Sequence, residues 1–172
     1  MSVRYRTIQF LRALLDKPSP VGIEFARSHL PAELQPLFRR MSPSDQAHSI
    51  RVCRALRQDG HSDPELLVAA LLHDVGKCLE PLNAFERVLV VLANRMAPGQ
   101  VLKWSEGQAN GWRRAFIVAQ KHPDWGAALV AEHGASPTTV ELIRQHQRST
   151  AERGDDAFTH RLSLLQAADS EN

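Results

Sequence analysis

Apolar side chains recur along this chain at steps of three and four, the spacing of helices that bury one face. Strict alternation of apolar and polar residues is nowhere sustained, so the pattern predicts helices and no strands. A first helix is expected near residues 5 to 16, ending before "KPSPVG". "IEFARSHL" and "PAELQPLFRRM" follow, with Pro31 suited to a first helical turn. In "SPSDQAHSIRVCRALRQDG", Ser42 caps, Pro43 opens and Gly60 terminates, while Val52, Ala55 and Leu56 repeat at helical intervals. Asp63 caps the next helix ahead of Pro64. "NAFERVLVVLANRM" is helical, "APGQVLKWSEGQANG" reads as a loop or broken helix, and "GWRRAFIVAQKH" is helical again. Pro123 marks a bend before "DWGAALVAEHG", which stops at Gly134. "SPTTVELIRQHQR", a polar loop and "FTHRLSLLQAADS" complete an all-α reading.

Composition narrows this little. A chain of 172 residues, 43% of them hydrophobic, suits one domain with a sizeable core. Residues 1–41 are expected to form a helical extension packed on a main domain over residues 42–172. A formal net charge of +2 supplies no field to recruit nucleic acid, and "LFRRM" with Arg39 and Arg40 is too short a basic cluster to argue for it. The two cysteines, Cys53 and Cys78, form neither a zinc pattern nor a disulfide framework. Arginines interrupt the apolar residues of "MSVRYRTIQFLRALLDK", so no signal peptide is expected. "VLVVLA" is too short to span a bilayer. A soluble, cytoplasmic protein is expected.

The chemistry gathers where apolar faces carry polar groups. "LLVAALLHDVGKCLEPL" runs greasy from Leu66 to Leu72, then presents His73 and Asp74 together. His48 precedes Val52 by four residues, His122 follows Val118 by four, His146 follows Leu142 by four and Asp169 follows Leu165 by four. Such offsets share a helix face, so all six polar groups point inward. A single buried histidine is most simply satisfied by a nearby carbonyl. Burying four imidazoles and two carboxylates is different, since an unpaired buried charge costs roughly 2–5 kcal/mol. A shared divalent cation would remove that penalty for the whole set. The intervals His48–His73, His122–His146 and His146–Asp169 are 25, 24 and 23 residues, each enough for a helix and a return. The interval from His73 to His122, 49 residues, leaves room for one extra helix.

The ordered set "HS" at 48–49, "HDVGK" at 73–77, "HPDWGAAL" at 122–129, "RQH" at 144–146 and "AAD" at 167–169 resembles the HD-domain superfamily of metal-dependent phosphohydrolases. The resemblance covers residues 48 to 169 and implies a helical HD bundle. It implies that His48, His73, Asp74 and Asp169 hold a first ion, that His122 and His146 add ligands for a second, and that Asp74 bridges. Iron, manganese or a similar ion suits such nitrogen and oxygen donors. The implied activity is hydrolysis of a phosphoester or phosphoanhydride, in a nucleotide or dinucleotide, with Asp74 and Lys77 in the catalytic machinery. Lys77 is a candidate contact for the substrate phosphate, and a solvated lysine near a helix end accounts for it equally well. The chain lacks the GYP signature of the cyclic-dinucleotide phosphodiesterases in this superfamily. "HPDWGAALVAEHG" followed by "IRQH" is nearer to small HD hydrolases of dinucleotide polyphosphates.

Two other readings compete: a sensor module that binds metal and nucleotide without cleaving, and a purely structural helical protein. His61, His133 and His160 sit near turns and read as surface residues. Trp112 beside Arg113 and Arg114 is placed to stack on a nucleotide, but an amphipathic helix with a basic edge explains it more simply. No glycine-rich phosphate loop and no nucleophile elbow is present.

Overall fold

Four helices begin the same way, with a small polar residue whose side chain accepts a backbone N–H and a proline directly after it. The pairs are Ser19–Pro20, Ser42–Pro43, Asp63–Pro64 and Ser136–Pro137. The cap satisfies a donor the helix cannot, and proline at the first position gives up only an N–H that had no partner. In a computed structural model of the chain, the residues described are 16–105, 107, 110–148 and 156–172. Among them all regular structure is helical: α1 (Pro20–His29), α2 (Gln35–Arg40), α3 (Pro43–Gln58), α4 (Pro64–Leu72), a 3-10 turn (Val75–Cys78), α5 (Ala84–Met96), α6 (Pro98–Trp104), a second 3-10 turn (Gly111–Arg113), α7 (Arg114–Glu132), α8 (Pro137–Gln145) and α9 (Ala157–Glu171).

The centre of the fold is α4. All seven residues from Leu66 to Leu72 are buried, and a helix apolar on every side belongs in a core. It is packed by α1, α2, α3, α8 and α9. Ala26, Leu30, Leu34, Leu37, Phe38 and Met41 share this core with residues of α3, α4, α7, α8 and α9. Gly60 and Gly134 close α3 and α7 at φ +90° and +83°, conformations that favour glycine. Cys53 and Cys78 are both free thiols. No helix among the described residues is long and apolar enough to cross a membrane.

Three elements differ from the expectation. Pro31 opens no helix; α2 starts at Gln35 with Pro36 in its first turn. Part of the stretch read as a loop or broken helix forms α6, opened by Pro98. Pro123 does not divide its segment, because α7 runs unbroken through it. Phe116, Ile117 and Val118 before the proline and Gly126, Ala127 and Val130 after it are all buried, so packing holds both halves on one helix. That burial outweighs the roughly 3 kcal/mol that an interior proline costs. The helix expected near residues 5 to 16 falls, apart from Asp16, outside the described residues.

Candidate metal centre

The buried helix α4 delivers His73 as its last half-turn and Asp74 as the first residue of the 3-10 turn that follows. That turn is pressed against α7. A Cβ placed on Gly76 would lie 2.0 Å from the His122 carbonyl oxygen and 2.7 Å from the Gly126 nitrogen, so only glycine fits. Gly126 answers from the other side, where a Cβ would stand 3.1 Å from the Gly76 nitrogen. The close approach sets Asp74 Oδ1 at 3.2 Å from His122 Nε2.

The six sequence candidates converge as two groups of three. In each, one donor atom per residue lies within 4.8 Å of the other two: His48, His73 and Asp169 in one, Asp74, His122 and His146 in the other. His48 Nε2 is 2.8 Å from Asp169 Oδ1. His73 Nε2 stands 3.5 Å from both Asp169 Oδ1 and Asp74 Oδ2. The His73 ring is 5.3 Å from that of His48 and 5.1 Å from that of His146, so it sits between the groups. Donors sharing an ion at bonds of about 2.0–2.2 Å lie about 2.8–3.6 Å apart, the range these pairs occupy.

Three imidazoles are oriented by the main chain. His73, His122 and His146 hold Nδ1 at 3.0, 3.1 and 2.7 Å from the carbonyls of Ala70, Val118 and Ile143. Each carbonyl fixes the proton on Nδ1 and turns the Nε2 lone pair inward, the arrangement that ligating histidines adopt. His73 Nε2 and His146 Nε2 are buried with no hydrogen-bond partner. Burial pushes His146 down to about 3 and holds it neutral. Burial opposes charge on His73 too, but the Asp74 and Asp169 carboxylates outweigh it and raise that imidazole to about 9. Burial disfavours ionising Asp169, and the neighbouring His73 charge and His48 hydrogen bond more than reverse this, holding its carboxyl below the usual range. The neutral His146 Nε2 without a partner, and the His73 Nε2 whose proton a cation would displace, lie among carboxylates held ionised and form a donor set that fits divalent cations.

Four of the donors, His48, Asp74, His122 and Asp169, line a cavity of about 420 Å3, with His73 and His146 buried behind them. Lys77 reaches into it from the 3-10 turn, its Nζ 2.6 Å from Asp74 Oδ2. An apolar part of the lining comes from α5, α6 and α7: Val90, Val91, Val101, Phe116 and Val118. Arg87 ties that wall down. Its guanidinium makes a two-pronged pair with buried Asp45 of α3, at 2.8 and 2.9 Å.

Sequence reading missed the apolar wall, the Asp45–Arg87 brace and Gln147, whose amide nitrogen lies 3.4 Å from His122 Nε2. Periodicity locates a residue on its own helix face and says nothing of the partner facing it. The one available signal was Gly76 two residues past the His–Asp pair, since glycine there marks a close backbone approach. His61, His133 and His160 do not line the cavity. Arg114 pairs with Glu80 and Glu86 at 3.1 and 2.8 Å, and Trp112 packs with Trp104 and Phe116.

A family model, the HD domain, matches residues 46–171, from two residues before His48 to two beyond Asp169. No curated protein and no solved structure matches the chain.

Proposed function

The chain belongs to the HD-domain family, and from that membership together with the six converging donors we propose a two-ion phosphohydrolase acting on a nucleotide or dinucleotide. The observation that carries the reading is the pair of buried, unpartnered nitrogens, His73 Nε2 and His146 Nε2, facing ionised carboxylates. His48, His73 and Asp169 would hold one ion, and Asp74, His122 and His146 the other. Asp74 turns Oδ1 toward His122 and Oδ2 toward His73, so it is placed to bridge. Manganese or iron suits these ligands. When bound, such ions supply Lewis acidity, polarising a phosphoryl oxygen and making water a stronger nucleophile.

The remaining work falls to the protein. Lys77 stands on the cavity wall beside Asp74, where its ammonium meets a substrate phosphate oxygen and offsets charge gathered as the P–O bond breaks. Val90, Val101 and Phe116 keep bulk water from the ligand side and strengthen every charge interaction there. The carbonyls of Ala70, Val118 and Ile143 fix the imidazoles before any ion arrives, so little ordering remains to be done on binding. The substrate is a small phosphorylated molecule rather than nucleic acid, and the setting is the cytoplasm.

The test is hydrolysis of a panel of nucleotides, dinucleotides and phosphodiesters with added manganese or iron. Turnover is expected in the wild type and lost in His73→Ala and Asp74→Ala while circular dichroism stays unchanged. Equal turnover in those variants refutes the assignment. Tight nucleotide binding without product over long incubation makes the chain a sensor instead.

A further inference from the structure

The two groups of donors are not equally supplied. Each has two imidazoles and one carboxylate, but with Asp74 bridging, its second oxygen also serves the first group, which leaves four protein donors there against three in the second. Gln147 adjoins this poorer group. It follows His146 directly, lines the cavity and brings its side-chain amide to 3.4 Å from His122 Nε2. That separation matches two donors at about 2.1 Å from one ion at a tetrahedral angle.

The identity of the near amide atom is not fixed by shape. The oxygen and nitrogen of a carboxamide are nearly isosteric, and half a turn about the last side-chain bond exchanges them. Nitrogen faces His122 when the imidazole lone pair is free to accept a hydrogen bond. With that lone pair committed to a cation, an N–H aimed at the same point is repelled and the carbonyl oxygen is favoured.

Gln147 is also held in place. Arg148 N–H donates to the Gln145 carbonyl at 2.8 Å, which closes the turn. Gln166 of α9 donates to the Arg148 carbonyl at 2.7 Å, one helical turn before Asp169. Arg148 lies 3.5 Å from Asp124 of α7. The turn bearing Gln147 is thus tied to both the helix of Asp169 and the helix of His122, so the amide needs a rotation and no backbone movement.

We propose that Gln147 supplies a fourth protein donor, its amide oxygen, to the ion held by Asp74, His122 and His146. The inference rests on the two-ion reading above. Four protein donors would hold this ion more firmly and would leave its remaining positions to water or a substrate phosphate.

The test titrates Mn2+ into the metal-stripped full chain by calorimetry and follows Co2+ absorption. The wild type is expected to take up two ions. In Gln147→Ala the weaker-bound ion loses about 10-fold or more in affinity, the scale of a lost supporting contact. The tighter ion is unchanged, and the Co2+ band of the second site shifts toward higher coordination by water. Gln147→Glu restores or exceeds wild-type affinity. Two ions bound by Gln147→Ala with wild-type affinities overturn this inference alone, as does equal weakening of both sites. A wild type that takes up no ion overturns the two-ion reading itself, and this proposal with it.

Discussion

Gly76 owes its place to contact distances and not to its dihedral angles, since its φ is not among the positive values. The cavity side of the molecule depends on the 3-10 turn lying against α7, and a single methyl group forbids that. In Gly76→Ala the new carbon would collide with the His122 carbonyl. Backbone atoms on both sides must then part, at a cost of about 1–3 kcal/mol or more. The same movement pulls Asp74 from His122. Thermal unfolding should show the loss, and bound manganese per chain should fall below the wild-type value even in the folded fraction. A variant with wild-type melting and full metal uptake contradicts the account. His146 illustrates the opposite economy, a side chain kept in the core with an unfilled lone pair.

At the level of elements, caps and buried pairs decide how firmly each ligand-bearing helix is set. Asp63 caps α4 through the N–H groups of Glu65 and Leu66 and pairs with Arg161 of α9 at 2.5 Å. Burial disfavours its charge, but these hydrogen bonds and the Arg161 charge prevail and lower its pKa below the ordinary 3.8. A carboxyl depressed on folding stabilises fully above its unfolded pKa, and that contribution disappears as pH falls through the lower folded value. Asp63→Ala should therefore cost about 1–2 kcal/mol at neutral pH. The difference from wild type should shrink in denaturant titrations below pH 3.8. A gap that persists undiminished to strong acid excludes the mechanism.

The Asp45–Arg87 pair plays the corresponding part for the apolar wall. With α5 contributing no fully buried residue, this brace links it to α3. Removing one charge leaves the other stranded, so Asp45→Ala should lose about 3–5 kcal/mol. The double variant Asp45→Leu with Arg87→Met should recover most of it, and a double-mutant cycle measures the coupling. Strictly additive losses would mean that the pair does not brace the helix.

For the whole molecule, an ion held by these donors would link metal binding to folding. The donors come from α3, the end of α4, α7, the turn after α8 and α9, and no unfolded chain holds them together. A cation that binds only the folded state at 100 times its Kd adds about 2.7 kcal/mol per site. For a chain of this size that raises Tm by about 5–10 °C. Manganese should produce the rise in calorimetric scans, a chelator should reverse it, and His73→Ala should blunt it. An unchanged Tm across that titration removes the metal from the fold's energetics.

What the chain determined alone was local or periodic. The cap–proline pairs wrote the starts of α3, α4 and α8, and the apolar spacing wrote α4 as a buried helix. The ordered histidines and aspartates read as one constellation because each lay on its own helix's inner face, a property fixed by 3.6 residues per turn. The reading failed at Pro31 and Pro123, where a local rule about proline met tertiary packing that ruled otherwise. Packing alone decided which donors share a triad, how close the 3-10 turn comes to α7, which helices wall the cavity and where Gln147 lies. Those are distances between elements remote in sequence, set by how side chains interlock in the core, and no periodicity within a helix encodes them.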